Sequence, residues 1–266
     1  MDTTEKVEVV FNDAVAYERF MGRWSRAAGK LFLDWVVPPK GARWLDIGCG
    51  TGVFTHLVLE RCAPEAVVAI DLATAQIDYA REAPVGRLAE FHVADAQALP
   101  FPDRSFDVIT SALVLNFISD RRRALTEMHR VGRRRAVVAA YVWDFAAGQS
   151  TSWPLARGMR QIGMEVPKTP GSEDSSIEAL RSLFEQANFE AVTARPIDVL
   201  LSYTNFEDFW QSQVSPFTPN GKAIATLRQA DRAKLVEAVR AILPDHPDGS
   251  IAYSTRANAV KGRVPA

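Results

Sequence analysis

Short runs of apolar residues recur along the first half of the chain, and more polar stretches separate them. Apolar runs of this length, bounded by glycine, proline or aspartate, are typical of buried strands. The strands predicted in this way are Arg43–Ile47, Ala66–Ile70, Ala89–Ala94, Phe106–Leu113 and Ala136–Val142. The sequence Pro-Pro-Lys-Gly at 38–41 ends the segment before the first strand, because proline disfavours helix in the residue that precedes it.

Between these runs, apolar side chains recur three and four residues apart, which places them on one face of a helix. The predicted helices are 13–37, Thr51–Arg61, Thr74–Ala83 and Asp120–Val131. Thr74 is the expected N-cap of the third helix, since its hydroxyl can accept a hydrogen bond from a free backbone N–H.

Strands that alternate with helices at this spacing indicate right-handed crossovers and a parallel sheet with helices on both faces. The expected fold class is therefore α/β, a doubly wound, Rossmann-like sheet. Ligands bind such sheets at the carboxyl ends of the strands. We therefore expect the functional site at that edge.

After Trp143 the alternation stops. Residues 145–176 are rich in Gly, Ser, Pro and Thr and are predicted to be a loop-rich insertion. Further on, the pattern predicts helices at Ile177–Ala187, Asn205–Gln213 and Asp231–Leu243, and strands at 190–203 and Ile251–Lys261.

These elements suggest a core with additions on it. The expected parts are an N-terminal helical lid (1–37), a cofactor-binding core (38–143), a cap insertion (144–176), a core helix and strand (177–203), a helical cap (204–248) and a closing strand with the C-terminus (249–266).

Composition adds mainly exclusions. The chain has 266 residues, 47% of them hydrophobic, and a formal net charge of −1, which gives no overall attraction to nucleic acid or to an anionic membrane. The N-terminus has no apolar signal-peptide core, and the longest apolar run, Ala136–Trp143, is too short to cross a bilayer. Cys49 and Cys62 form no disulfide framework or metal-ligand pair. A cytoplasmic protein without a metal is expected.

Three features fall at the ends of the first three predicted strands. The loop Gly48-Cys49-Gly50-Thr51-Gly52 lets a ligand approach the backbone and offers the free N–H groups of a helix start. Asp71 follows the second strand, where a carboxylate can accept hydrogen bonds from ribose hydroxyls. Asp95 follows the third and can accept a hydrogen bond from an exocyclic amine such as that of adenine. Either aspartate could instead only cap a turn.

A nicotinamide or flavin dinucleotide is the main rival ligand. Its fingerprint is G-x-G-x-x-G/A, and here Val53 stands where the third small residue belongs. Asp46, inside the strand before the glycines, would also repel a pyrophosphate. Both observations disfavour a dinucleotide.

The segment Leu45–Gly52, together with Asp71, Ala94–Phe101 and the Phe-Asp-Val-Ile run at 106–109, resembles the class I S-adenosylmethionine-dependent methyltransferases. Within them it is most similar to the small-molecule branch that includes ubiquinone and menaquinone C-methyltransferases. The resemblance implies S-adenosylmethionine as the cofactor, with S-adenosylhomocysteine as product. It also implies a seven-stranded sheet whose last strand is antiparallel, with a helical and loop-rich cap.

The resemblance further implies roles by position. Asp46 and the loop would hold the methionine part of the cofactor, Asp71 the ribose, and Asp95 with Ala96 the adenine. The expected cofactor-binding set is Tyr17, Phe20, Arg26, Asp46, Gly48, Cys49, Gly50, Thr51, Gly52, Asp71, Leu72, Gln76, Asp95, Ala96, Gln97, Ser111, Ala112 and Leu113. The first three are candidates for a closing lid; Tyr17 and Phe20 could equally be helix core, and Arg26 a surface charge.

No catalytic residue is predicted. His56, His92 and His129 are interpreted as structural or surface histidines, while His246, in the variable region, stays open. A base is needed only if the acceptor must lose a proton.

The acceptor is expected to be small and partly apolar, because the cap is rich in aromatic and aliphatic residues. The runs Arg121–Arg123 and Arg133–Arg135 are interpreted as a solvated helix face and as charges at a helix C-terminus, which disfavours RNA. The alternatives are a non-catalytic cofactor-binding protein, an RNA or protein methyltransferase and an NAD-dependent oxidoreductase. The oligomeric state is left open.

Overall fold

The structure, a computed structural model, describes residues 22–215, 218–244 and 246–266. Its centre is a seven-stranded sheet in the order β3-β2-β1-β4-β5-β7-β6. The strands are β1 Arg43–Ile47, β2 Ala66–Asp71, β3 Glu90–Val93, β4 Phe106–Ala112, β5 Gly132–Trp143, β6 Glu190–Tyr203 and β7 Ile251–Arg263.

The first five strands pair in parallel, and β7 lies antiparallel between β5 and β6. The doubly wound sheet with an antiparallel last strand is therefore confirmed. The carboxyl ends of β1 to β5 meet at one edge, which we call the carboxyl edge.

Helices lie along the sheet and above that edge. They are α1 Arg23–Val36, α2 Val53–Cys62, α3 Thr74–Glu82, α4 Arg121–Val131, α5 Trp153–Gln161, α6 Ile177–Gln186, α7 Phe206–Gln213, α8 Pro219–Ala225 and α9 Gln229–Arg240. Of the predicted helix 13–37, residues 13–21 lie outside the described part of the chain.

Each face of the sheet has its own apolar core. On one face Trp44 and Tyr141 pack with Phe32 of α1 and Phe54 of α2, and this core continues without a break into the helices after β6. On the other face α4 and α6 cover the sheet with buried side chains such as Leu125 and Phe184. Burial of both faces explains why the central strands are nearly all apolar.

One local prediction was wrong, and two helices were missed. Ala73, not Thr74, occupies the N-cap of α3, and no side chain caps that helix, because the chain turns directly out of β2 at Asp71. The 145–176 stretch is not only loop, since α5 lies within it. Helix α8, between α7 and α9, was not predicted at all.

The close contact between α5 and α9 depends on a glycine. A β-carbon on Gly158 would stand 2.5 Å from a methyl group of Val239, so that only glycine allows the two helices to approach this closely. Among the described helices, none is both long and apolar enough to cross a membrane.

Candidate functional site

The glycine loop after β1 lies at the carboxyl edge. The backbone N–H groups of Gly48 and Cys49 donate to the carbonyl of Ile70, at 2.8 and 2.9 Å, which fixes the loop to the end of β2. Gly48, Gly50 and Gly52 have φ angles of +74°, +53° and +84°. Other L-residues rarely adopt this left-handed region, and the glycines make the turn from strand to helix possible.

Gly52 also permits close packing. A β-carbon there would lie 3.1 Å from a methyl group of Val85 and 3.2 Å from the ring of Phe91. The small residue needed against the next strands is thus Gly52, while Val53 begins α2 and is half-buried. This supports the spacing argument against a dinucleotide fingerprint.

The carboxylate of Asp71 anchors this loop. One oxygen accepts the N–H of Gly50 and the other that of Ala73, each at 2.9 Å. Burial raises the pKa of Asp71, and the backbone hydrogen bonds oppose that rise. The backbone N–H of Leu72 is a third group that stabilises the charged form, and a carboxylate has about four lone-pair positions, so that acceptor capacity remains for a ligand.

Asp46 is fully buried at the end of β1. The hydroxyl of Thr55, in the first turns of α2, donates to its Oδ2 at 2.6 Å. Burial raises the pKa of Asp46 to about 7, and the negative charge of Asp71 adds to the rise. The other oxygen, Oδ1, has no hydrogen-bond partner among the described residues.

Two buried hydroxyls lie in the same part of the molecule, those of Thr51 in the loop and Ser111 in β4. Neither has a partner within the described part of the chain. Buried polar atoms are normally paired, and an unpaired one suggests a missing ligand or water. Together with the glycine cradle and the free Asp46 oxygen, these hydroxyls fit a polar, cationic ligand such as the amino-acid end of S-adenosylmethionine.

The chain leaves the sheet after Ala112. Leu113 has a φ of +63°, and its N–H donates to the carbonyl of Tyr141 on β5 at 2.8 Å. The next residue, Val114, lies against the glycine loop, since a β-carbon on Gly48 would be 2.5 Å from its methyl groups. Val114, directly after the Ser111–Leu113 segment, is thus packed on the loop, and the role of that segment beside the cofactor stays a prediction.

Asp95 lies in a tight turn after β3. Its carboxylate accepts the backbone N–H of Gln97 at 2.8 Å and the side-chain amide of the same residue at 3.1 Å. The side-chain amide oxygen of Gln97 in turn accepts from the hydroxyl of Ser119 and the backbone N–H of Asp120, just before α4. Ala96 is half-buried, and Leu72 is 68% exposed beside Asp71.

Cys49 and Gln76 are both buried. Burial, with the charges of Asp46 and Asp71, raises the pKa of the Cys49 thiol well above its ordinary value, which disfavours a thiolate nucleophile. Gln76 lies in the first turn of α3.

Of the three predicted lid residues, the structure describes only Arg26. Tyr17 and Phe20 lie outside the described residues. Arg26 lies 3.9 Å from Glu60 near the far end of α2, and both side chains are about half exposed. Its role in cofactor binding stays a prediction.

Of the histidines, His56 is on α2, His92 is an exposed residue of β3 beside Glu90, and His129 is on α4 against Phe189. His246 is exposed in the loop before β7. In the described part of the chain, no three His, Cys, Asp or Glu side chains come together as a metal site.

The two arginine runs, Arg121–Arg123 and Arg133–Arg135, are placed differently from the prediction. Arg121 is not solvated: its side chain is 16% exposed, pairs with Asp174 at 3.3 Å and donates to the carbonyl of Asn116 at 3.2 Å. The second run belongs to the opening of β5, which begins at Gly132, and Arg133 pairs with Asp107.

Sequence reasoning missed two residues of the site, Thr55 and Val114. Thr55 could have been predicted, because the first turn of the helix after the glycine loop faces the end of β1, and a hydroxyl there can donate to Asp46. Val114 offers no such signal, because its contact with Gly48 depends on how two distant loops meet.

Comparison with known proteins agrees with this fold and site. Residues 45–140 match the family model of the methyltransferase domain. That span runs from Leu45 in β1 to Ala140 in β5 and contains the glycine loop, Asp46, Asp71 and Asp95. This part of the chain is therefore similar to methyltransferase domains, and the curated relatives that match it are methyltransferases by name.

Its relatives include enzymes of several substrates. The malonyl-[acyl-carrier protein] O-methyltransferase of Serratia marcescens is 33% identical over 180 residues, which are 63% of this chain and 66% of that protein. The demethylmenaquinone methyltransferase of Thermus thermophilus is 40% identical over 111 residues, 41% of this chain and 49% of that protein. The chain thus matches only about half to two thirds of the length of these relatives.

A solved structure shares the fold. Phosphoethanolamine N-methyltransferase 2 of Haemonchus contortus, in complex with S-adenosyl-L-methionine, is similar with a TM-score of 0.58 and 19% identity. The similarity covers 95% of this chain and 57% of that one.

Proposed function

We propose that this protein transfers a methyl group from S-adenosylmethionine to a small, partly apolar organic acceptor. The observation that carries the proposal is the assembly at the carboxyl edge of a left-handed glycine loop, the loop-anchoring Asp71 and the fully buried Asp46 with one unpaired oxygen.

In this proposal different residues bind different parts of S-adenosylmethionine. Asp46 and the loop from Gly48 to Gly52 bind the methionine part, and Asp71 binds the ribose hydroxyls. The adenine is assigned to Asp95 and Ala96, with Leu72 and Gln97 beside it and Gln76 nearby. The segment Ser111–Leu113 borders the methionine end. The support is positional: these residues lie in or just after the carboxyl ends of β1, β2, β3 and β4, at one edge of the sheet.

Asp46 contributes electrostatically. Its carboxyl group is held partly protonated near neutral pH because burial disfavours the charge. A cationic ligand beside it favours the ionised form, and attraction between opposite charges is stronger away from water. Binding of a positively charged donor should therefore ionise Asp46 and release a proton.

The donor, when bound, supplies a methyl group on a positively charged sulfur. Bond formation to the acceptor accompanies cleavage of the sulfur–carbon bond, whose electrons stay on sulfur. The protein's part is to align the acceptor and to exclude water, and alignment can contribute about 7–11 kcal/mol at best. No general base is assigned.

The nature of the acceptor is inferred from the cap. Phe206, Phe209 and Trp210 of α7 are buried and form one core with Tyr253 of β7 and Trp24 of α1. Aromatic surroundings at the carboxyl edge suit an acceptor with an apolar body. The relatives act, by name, on malonyl-[acyl-carrier protein] and on demethylmenaquinone, and the fold alone does not choose between such acceptors.

The test is transfer of label. The protein is incubated with methyl-labelled S-adenosylmethionine and a small-molecule extract, and Asp71→Ala serves as the inactive comparison. Label in an organic-soluble product, formed by the wild type only, supports the proposal. If the wild type binds the donor but labels nothing, the non-catalytic alternative is correct.

A further inference from the structure

One buried hydrogen-bonding group near the carboxyl edge, an indole N–H, has no role in the proposed S-adenosylmethionine site. The indole Nε1 of Trp143, the last residue of β5, has no acceptor among the described residues, although the side chain is only 4% exposed. An indole nitrogen can only donate, and leaving such a group buried and unpaired is unfavourable.

Two other tryptophans, the buried Trp44 and the half-buried Trp153, have paired indole groups. The indole N–H of Trp44 donates to the hydroxyl of Thr110 at 2.8 Å, and that of Trp153 donates to the carbonyl of Ser254 at 2.9 Å. The fold thus satisfies the indole groups at these two sites. The indole of Trp143 differs from these two, because no hydrogen-bond partner lies within reach of it among the described residues.

Trp143 lies at the carboxyl edge, where the proposed donor site is. Strand β4 ends at Ala112, which is paired with Tyr141, so that Trp143 extends beyond it at the carboxyl edge. Leu113 bonds back to the carbonyl of Tyr141, and Val114 touches Gly48. A short series of contacts therefore joins Trp143 to the glycine loop.

The surroundings of Trp143 are aromatic. Its ring meets Trp24 edge to face at 6.1 Å, and Trp24 in turn contacts Tyr203 and Tyr253 at 6.0 and 5.5 Å. On the neighbouring strand Trp143 is opposite Ala257, a small side chain. A ligand received here would have an unsaturated, apolar body and one oxygen that accepts a hydrogen bond.

We infer that the indole N–H of Trp143 binds a carbonyl oxygen of the methyl acceptor, and that the acceptor is an apolar compound with a carbonyl group. This inference rests on the proposed function and specifies its substrate class. Trp143 acts as a specificity-determining residue: it binds and orients the acceptor and takes no part in proton transfer.

The test uses two small probes that differ in one oxygen, 1-tetralone and the hydrocarbon tetralin. Protein with ¹⁵N-labelled indole groups is saturated with S-adenosylhomocysteine and titrated with each probe, and the Trp143→Phe variant identifies the Trp143 signal. We expect 1-tetralone, and not tetralin, to move the Trp143 indole proton downfield. Trp143→Phe should weaken 1-tetralone binding about tenfold and leave tetralin binding unchanged.

Trp153→Phe is the matched control, because it removes an indole N–H that is already paired within the protein; it should leave both affinities unchanged. Three results would overturn the inference: a Trp143 signal that ignores 1-tetralone, equal 1-tetralone affinity in Trp143→Phe, or a Trp143 N–H already hydrogen-bonded in the free protein. Failure to bind S-adenosylhomocysteine would instead contradict the proposed function, which separates the two failures.

Discussion

The methyl groups of Val114 lie over the α-carbon of Gly48, and a β-carbon on that glycine would be 2.5 Å from them. The loop after β4 is thereby packed on the loop after β1. In the proposed function the loop after β4 borders the methionine end of the donor, and the loop after β1 holds that end. A substitution that shifts one loop should therefore shift the other loop as well, and so change the affinity for the donor.

Gly48→Ala should abolish this packing. The new methyl group collides with Val114, and the left-handed backbone at φ +74° is strained as well. We expect affinity for S-adenosylhomocysteine to fall by a factor of about ten or more, since the loop must move to relieve a collision that costs about 1–3 kcal/mol. Calorimetric titration measures the change.

The control is Gly41→Ala, in the turn before β1. Gly41 has a φ of +67°, but a β-carbon there would meet nothing within 4 Å. It shares the backbone strain and lacks the collision, so it should lower stability without changing affinity. Equal losses of affinity in both variants would show that the Val114 contact has no role.

The buried Asp46 should make stability depend on pH. Its pKa is about 7 in the folded protein and about 3.8 when unfolded, so that between these values the folded state holds a proton that the unfolded state has released. Stability is then highest at low pH and declines as the pH rises to 7. Asp46→Asn cannot ionise, and its unfolding free energy should decline less over this window, by up to a few kcal/mol.

Urea unfolding at pH 5, 6, 7 and 8 measures this difference. Asp78→Asn, at an exposed carboxylate of α3, should follow the wild-type curve. Parallel curves for the wild type and Asp46→Asn would mean that Asp46 is ionised in the folded protein throughout.

Thr55→Val should shift the pH dependence of donor binding. The Thr55 hydroxyl stabilises the ionised form of Asp46 and holds its pKa down. Without this bond the pKa rises, and binding of the cationic donor near pH 7 should weaken about five- to tenfold. Because Asp46 ionises again at higher pH, the difference from the wild type should narrow towards pH 9.

The hydroxyl of Thr126, on the exposed side of α4, bonds only to the carbonyl of Arg122, and Thr126→Val is the matched control. It should leave the profile unchanged. A loss of affinity in Thr55→Val that is equal at pH 7 and pH 9 would indicate a packing effect and not a shift of the Asp46 pKa.

Arg121 should be a stabilising residue. Its largely buried guanidinium pairs with Asp174 and donates to the carbonyl of Asn116. Gly171 packs so closely here that a β-carbon on it would collide with the Arg121 guanidinium and with the Asn116 carbonyl. Arg121→Gln should lower the unfolding free energy by about 1–3 kcal/mol. Its neighbour Arg122 is exposed, and Arg122→Gln should change stability little. Similar losses in the two variants would contradict this account.

Most of the sheet could be predicted from the sequence because its strands are buried on both faces. Arg43–Ile47 was predicted to the residue, and β2 to within one. The glycine loop and the aspartates at the strand ends could be placed for the same reason: in a parallel sheet, strand ends meet at one edge.

The missed elements had weaker signals. Helix α8 begins with Thr218 as its cap and Pro219 in its first turn, a recognisable helix start, but it is too short for a clear period. Helix α5 also has proline in its first turn, and Gly158 stands at a buried position where the helical pattern would need an apolar side chain. The Arg121–Asp174 pair could not be predicted, since it depends on how segments distant in sequence pack.

The central claim is that the carboxyl edge binds S-adenosylmethionine through Asp71 and the glycine loop. The most direct measurement is calorimetric titration of the wild type and Asp71→Ala with S-adenosylhomocysteine. Asp71 holds the Gly50 N–H and is assigned to the ribose, so we expect saturable binding to the wild type and a loss of about a hundredfold in the variant. No binding to the wild type, or equal binding to both proteins, would contradict the claim.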